Sequence, residues 1–218
     1  MRVKREINPA KVLVGYYNYT VILTYLGVAC GILGVCFAST KNAGAALICL
    51  MVCGLCDTFD GTIARTRVRT SDEKRFGIQI DSLADIVCFG VLPAAIGLAT
   101  GMTAWYEQLV LAIYVLCALI RLAYFNVTED APSAQQSNRP AAFQGLPVTA
   151  AAVLVPAIYT LRPLFPLRFH LIFALGMLLL AGAFIGKFRV KKPGLIGRIV
   201  LTVIGAAIMA LLILGWNK

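Results

Sequence analysis

The sequence predicts an all-α, polytopic membrane bundle. Of 218 residues, 60% are hydrophobic and only 14% are charged, and the mean hydropathy is +0.83. That composition belongs to a chain dissolved in lipid rather than water. Apolar runs close to the ~20 residues needed to cross ~30 Å of hydrocarbon recur along the chain, with short polar stretches between them. A membrane leaves no water to satisfy backbone polar groups, so helices are the expected spanning form.

In chain order, residues 1–15 form a basic segment with Arg2, Lys4, Arg5 and Lys11, and Asn8-Pro9 reads as a cap followed by a first helical residue. The first span is expected over Tyr16–Ala38. It is long and lacks a small-residue cleavage site, so it reads as a span and not a removable signal peptide. A polar turn at Ser39–Ala43 precedes a second span over Gly44–Ala64. A loop over Arg65–Phe76 follows, and a third span over Gly77–Leu98. Thr100–Thr103 turns the chain into a fourth span over Ala104–Phe125. Residues 126–145 are expected to be a long, mobile polar loop. A fifth, shortest span covers Leu146–Leu161, a Pro-rich turn Arg162–Leu167, and a sixth span Arg168–Gly186. After basic Lys187–Pro193, a seventh apolar segment covers Leu195–Trp216.

If the N-terminus is cytoplasmic, 16 of the 20 Lys and Arg residues fall on that side, leaving Lys41, Arg162, Arg168 and Lys218 opposite. This bias predicts an N-in, multi-pass protein of the cell (cytoplasmic, or inner) membrane. The net charge of +10 then reports topology and attraction to anionic membrane lipids. No nucleic-acid-binding motif accompanies it, so no nucleic acid is expected as partner. The seven cysteines all lie in apolar runs and read as small packing residues. His170 lies on the far side in this topology and is not expected to be catalytic. Trp216 reads as an interfacial anchor.

Among the ten acidic residues, four aspartates, Asp57, Asp60, Asp81 and Asp85, sit in or beside strongly apolar sequence on either side of the 65–76 loop. Asp57 and Asp60 are three apart and Asp81 and Asp85 four apart, so each pair shares a helix face. With ~1.5 Å of rise per residue, both pairs lie within ~12 Å of the loop between the second and third spans. Ionised carboxylates at that depth are costly and mark function. Together they would repel one another unless cations bound between them. The all-oxygen ligand set calls for a hard divalent ion, Mg²⁺ or Mn²⁺. A carboxylate-lined ion path of a cation transporter is the rival reading.

The run Asp57-x-x-Asp60-Gly61-x-x-Ala64-Arg65, then eleven residues, then Gly77-x-x-x-Asp81-x-x-x-Asp85 resembles the signature of the CDP-alcohol phosphotransferases. Only the spacer between Arg65 and Gly77 departs, being longer than is usual in that family. Asp81-Ser82-Leu83-Ala84-Asp85 with Phe89-Gly90 and Pro93 resembles the phosphatidylserine synthase branch. So do Arg121-Leu122-Ala123-Tyr124-Phe125-Asn126 and Phe143-Gln144-Gly145-Leu146-Pro147.

The resemblance implies a six-helix core, here residues 16–190, with 191–218 as an additional C-terminal membrane helix. It implies two divalent metals held by Asp57, Asp60, Asp81 and Asp85, with Asp85 as ligand, general base, or both. It implies CDP and phosphate contacts from Asn18, Thr20, Asp57, Gly61, Ala64, Arg65 and Gly77. The glycines would let the nucleotide approach the backbone and Arg65 would donate a fork of hydrogen bonds to phosphate. Asn18 and Thr20 could instead serve as a helix cap or packing pair. CDP-diacylglycerol is the implied donor, L-serine the acceptor, and phosphatidylserine and CMP the products, with a homodimer expected. Arg121 would meet the serine carboxylate, or else snorkel as an interfacial anchor. Asn126 would add a polar contact, or else cap its helix. Other acceptors within the family, glycerol 3-phosphate or an inositol compound, and an ether-linked isoprenoid donor stay open.

Overall fold

The apolar runs fold as helices in a computed structural model that describes residues 15–17, 19–64, 70–129, 142–187, 189–191, 205–212 and 214–215. Helix α1 covers Tyr19–Ser39 and α2 Ala43–Ala64. The turn between them is closed by the Lys41 amide on the Ala38 carbonyl and the Asn42 amide on that of Phe37. Asn42 then caps α2 through the Ala45 amide, 3.2 Å from its Oδ1.

The third span begins earlier than the sequence predicts. Helix α3, Ser71–Asp85, takes in Ser71–Phe76, which were expected to be loop. Thr70 and Glu73 form a capping box: the Thr70 hydroxyl accepts from the Glu73 amide, and the Glu73 carboxylate accepts from the Thr70 amide at 2.9 Å. Much of the long spacer between Arg65 and Gly77 is therefore helix. α3 continues without a break through a π-helical stretch, Ile86–Val91, into α4, Leu92–Ala99.

Helix α5, Trp105–Glu129, runs four residues past the predicted end, so Asn126 lies inside the helix and does not cap it. Residues 142–144, assigned to the polar loop, form strand β1, Ala142–Gln144. It pairs antiparallel with β2, Arg189–Lys191, matching Phe143 to Val190. The ladder satisfies backbone groups that neither segment could satisfy alone. The fifth apolar run is broken by proline: a 3₁₀ turn at Val148–Ala150 follows Pro147, α6 covers only Ala151–Tyr159 with Pro156 inside it, and Arg162–Leu164 is 3₁₀ again. Helix α7 is Phe169–Ile185. Residues 205–212 and 214–215 are also helical.

Four helices among the described residues are long and apolar enough to cross a membrane: Val21–Ser39, Ala43–Asp60, Ser71–Ala99 and Trp105–Thr128. Val148–Leu164 and Phe169–Ile185 are shorter apolar helices. The chain is thus an integral membrane helical bundle.

The core is packed at close range. α1 lies along α2 and against α4, α5 lies along α7, and α2 meets α6. Small residues set these approaches, as expected where lipid offers no hydrophobic drive between helices. A Cβ on Gly34 would come 2.9 Å from both Cys49 and Leu92, and one on Gly54 would come 2.5 Å from the Ala152 Cβ. Cys49, Cys53, Cys88 and Cys117 are buried, and all seven cysteines are free thiols.

Candidate active site

Where α2 and α3 pass each other, the two halves of the aspartate run meet. Asp57, Asp81 and Asp85 each offer a carboxylate oxygen, and these oxygens all lie within 4.8 Å of one another. Asp60, one turn beyond Asp57 and 9% exposed, lines the same cavity. Helical periodicity explains the convergence: residues three and four apart stack on one face, and the two faces oppose each other.

The donor set fits a hard divalent cation. Three carboxylates lie close enough to share an ion, a fourth, Asp60, lines the same cavity, and no basic residue is among the described residues lining it. The floor is formed by Cys53, Cys56 and Cys88, and Ala84 and Phe89 complete the α3 side. The Cys53 and Cys88 thiols both point at the Gly27 carbonyl, at 3.3 and 3.5 Å. They act as weak donors in the packing, in keeping with their expected role.

Thr24 was not singled out from the sequence. It is buried on α1, lines the cavity, and donates its hydroxyl to Asp60 Oδ2 at 3.2 Å. A lone threonine in an apolar run carries no signal, because only the fold aligns it with α2.

Gly77 stands one turn before Asp81 on α3, and Gly61 and Ala64 lie in the last turn of α2. Thr20 is in the first turn of α1. Asn18 and Arg65 lie outside the described residues, as does the side chain of Thr20.

Arg121 is only 7% exposed, so it is not a snorkelling anchor. Its Nε donates to the Leu146 carbonyl at 3.2 Å, and its guanidinium lies over the Phe125 ring at 5.9 Å. It is not among the residues lining the aspartate cavity. The turn it grips is docked onto the end of α7: the Leu146 amide donates to Ala183, and Gly145, at φ +78°, sits where a Cβ would come 2.9 Å from the Gly186 carbonyl. Asn126 faces α3, where its amide pairs with Ser82.

At the other end of α5, Glu107 is 2% exposed, with Oε1 3.7 Å from His170 and Oε2 accepting from the Ala104 amide at 3.0 Å. The nineteen residues from Glu107 to Asn126 correspond to ~28 Å of helix. His170 therefore stands far from the aspartates, as expected.

A family model described as CDP-alcohol phosphatidyltransferase matches residues 17–216. The chain is 42% identical over 112 residues to a Saccharomyces cerevisiae protein named CDP-diacylglycerol–serine O-phosphatidyltransferase, covering 50% of this chain and 40% of that one. A Mycobacterium tuberculosis protein of the same name is 31% identical over 141 residues, 64% of this chain and 48% of its own length. An archaetidylserine synthase of Methanothermobacter thermautotrophicus is 31% identical over 139 residues, covering 63% and 56%. The matched region thus spans about half the length of these relatives.

Proposed function

The chain belongs to the CDP-alcohol phosphatidyltransferase family, and from that premise we propose that it is a phosphatidylserine synthase. It would move the phosphatidyl group of CDP-diacylglycerol to the hydroxyl of L-serine and release CMP. The observation that carries this reading is the convergence of Asp57, Asp81 and Asp85 within 4.8 Å, built from both halves of one motif. The relatives named for serine transfer support the choice of acceptor.

Asp57, Asp60, Asp81 and one oxygen of Asp85 would hold Mg²⁺ or Mn²⁺, two ions per site. When bound, the metal supplies Lewis-acid charge for the pyrophosphate and the leaving phosphate. Thr24 holds one oxygen of Asp60 and so limits that carboxylate's rotation. Asp85 would take the serine hydroxyl proton as the serine oxygen bonds phosphorus and the bond to CMP breaks. Arg65 would hold phosphate through its fork of donors, Gly61 and Gly77 would admit the nucleotide beside Ala64, and Asn18 and Thr20 would contact the nucleotide, as the family resemblance implies. Arg121 would face the serine carboxylate from the buried corner where it grips the Gly145–Pro147 turn.

The site would open at the cytoplasmic face, since the basic residues cluster on the α2–α3 side of the membrane. A homodimer in the cell membrane, with residues 191–218 adding a helix to the 16–190 core, completes the reading.

The test is CMP release by the purified protein in detergent, with CDP-diacylglycerol, Mn²⁺ or Mg²⁺, and serine, glycerol 3-phosphate or inositol. Serine-dependent release is expected. Release with another acceptor alone would move the protein to another branch, and no release with any acceptor would remove the activity. The archaetidylserine synthase relative favours a second donor, so an ether-linked isoprenoid CDP-lipid belongs in the same panel.

A further inference from the structure

The helix that carries Asp81 and Asp85 changes its winding immediately after Asp85, where the π stretch Ile86–Val91 begins. In the π stretch Leu92 reaches back five residues, its amide donating to the Val87 carbonyl. The next residue, Pro93, has no N–H to donate. In an α-helical ladder the amide at position 93 would serve the Phe89 carbonyl; that carbonyl accepts the hydroxyl of Tyr114, a fully buried residue of α5, at 2.8 Å. One turn before Asp85, Ser82 is bound to the same neighbouring helix. Its hydroxyl donates to Asn126 Oδ1 at 3.1 Å and accepts from Asn126 Nδ2 at 2.9 Å.

Polar contacts from two residues of α5, Asn126 and Tyr114, therefore straddle Asp85, one on each side. A π insertion lets the two ends of a helix rotate relative to each other, because it adds a residue to one turn. A slide or rotation of α3 carries Asp81 and Asp85 with it, while Asp57 and Asp60 stay on α2. A metal site tolerates little of this: ligand oxygens must hold their distances to a few tenths of an ångström, and residues that orient ligands matter almost as much as the ligands.

We infer that Asn126 and Tyr114 are positioning residues, which hold the Asp81–Asp85 segment in register with Asp57 and Asp60. The inference rests on the metal-site reading of the aspartates. It gives Asn126 a role through Ser82 and not through the acceptor. Tyr114 lies in an apolar stretch with no motif around it.

The test uses the full-length protein in detergent with Mn²⁺ alone, without donor or acceptor. Bound Mn²⁺ is read from loss of the free-ion electron paramagnetic resonance signal, and folding from the thermal melt without metal. Tyr114→Phe, which removes one oxygen, and Asn126→Ala should each weaken Mn²⁺ binding about ten-fold. Ser82→Ala should match Asn126→Ala, and the Ser82→Ala/Asn126→Ala double variant should be no worse than either single one. Mn²⁺ affinity within two-fold of the parent in Tyr114→Phe and Ser82→Ala, even with a lowered melting temperature, would reduce both bonds to packing and overturn the inference. A raised serine Michaelis constant with unchanged Mn²⁺ affinity in Asn126→Ala would overturn it for that residue, making it a substrate ligand. If the parent protein binds no Mn²⁺, the metal site itself fails, and that outcome is separate from the variants' behaviour.

Discussion

Asp57, Asp60, Asp81 and Asp85 show what a single carboxylate contributes when it is fixed beside others in an apolar wall. Asn is nearly isosteric with Asp but carries no charge. Asp57→Asn should lower turnover by orders of magnitude and weaken Mn²⁺ binding in a protein that still melts cooperatively. Asp85→Asn separates two roles: as the base, it should lose turnover while donor and metal bind with nearly parental affinity in isothermal titration. Loss of metal binding as severe as in Asp57→Asn would make Asp85 a ligand first. Arg121 lends itself to a similar division. A charge-assisted contact to the acceptor carboxylate contributes roughly 1.5–3 kcal/mol, so Arg121→Ala should raise the Michaelis constant for serine about ten- to a hundred-fold with little change for the donor. Equal increases for both substrates would assign Arg121 to the Leu146 turn that it holds.

Elements here are positioned by what they lack as much as by what they carry. α2 approaches α6 where Gly54 faces Ala152, and a methyl group on Gly54 would come 2.5 Å from the Ala152 Cβ. Backbone shifts forced by such overpacking cost typically 1–3 kcal/mol. Gly54→Ala should therefore lower the melting temperature, and Gly54→Ala/Ala152→Gly should recover most of the loss, because the double variant moves the methyl group across the same contact. A double variant no more stable than the single would show that the two helices do not meet there. Thr70 and Glu73 illustrate the opposite device: a local polar box begins α3 and extends it by six residues beyond the apolar boundary at Gly77. Legibility differed between these features. The capping box is a sequence pattern that the reading of Arg65–Phe76 as a charged loop did not take up. The Gly54–Ala152 contact has no sequence pattern at all.

For the whole molecule, the question is which end of the bundle faces which compartment. The aspartates lie near the α2–α3 connection, on the side to which 16 of 20 basic residues are assigned. Ser71, at the start of α3, and Thr103, between α4 and α5, are exposed at opposite ends of that span. In a background with the exposed Cys36 replaced, Ser71→Cys should react with an impermeant thiol reagent only in inverted membrane vesicles, and Thr103→Cys only in right-side-out ones. The reverse pattern would put the site on the outer face, away from cytoplasmic nucleotide. The far end of the molecule holds the Glu107–His170 contact, well removed from the chemistry.

The sequence by itself determined the membrane class, the helical content and the four carboxylates. Each of these is written in composition or in spacing along one helix, and a helix's face is a local property. It also carried the motif on which the family assignment rests. The tertiary structure decided which of those faces meet. It brought Asp57 to Asp81 and Asp85, set Thr24 of α1 against Asp60, and turned Arg121 inward onto Leu146. It also gave Asn126 to Ser82 and Tyr114 to the Phe89 carbonyl. Those pairings join residues 24 to 44 positions apart. No periodicity of a single helix encodes them, because they depend on how neighbouring helices cross and how far each has slid along its axis.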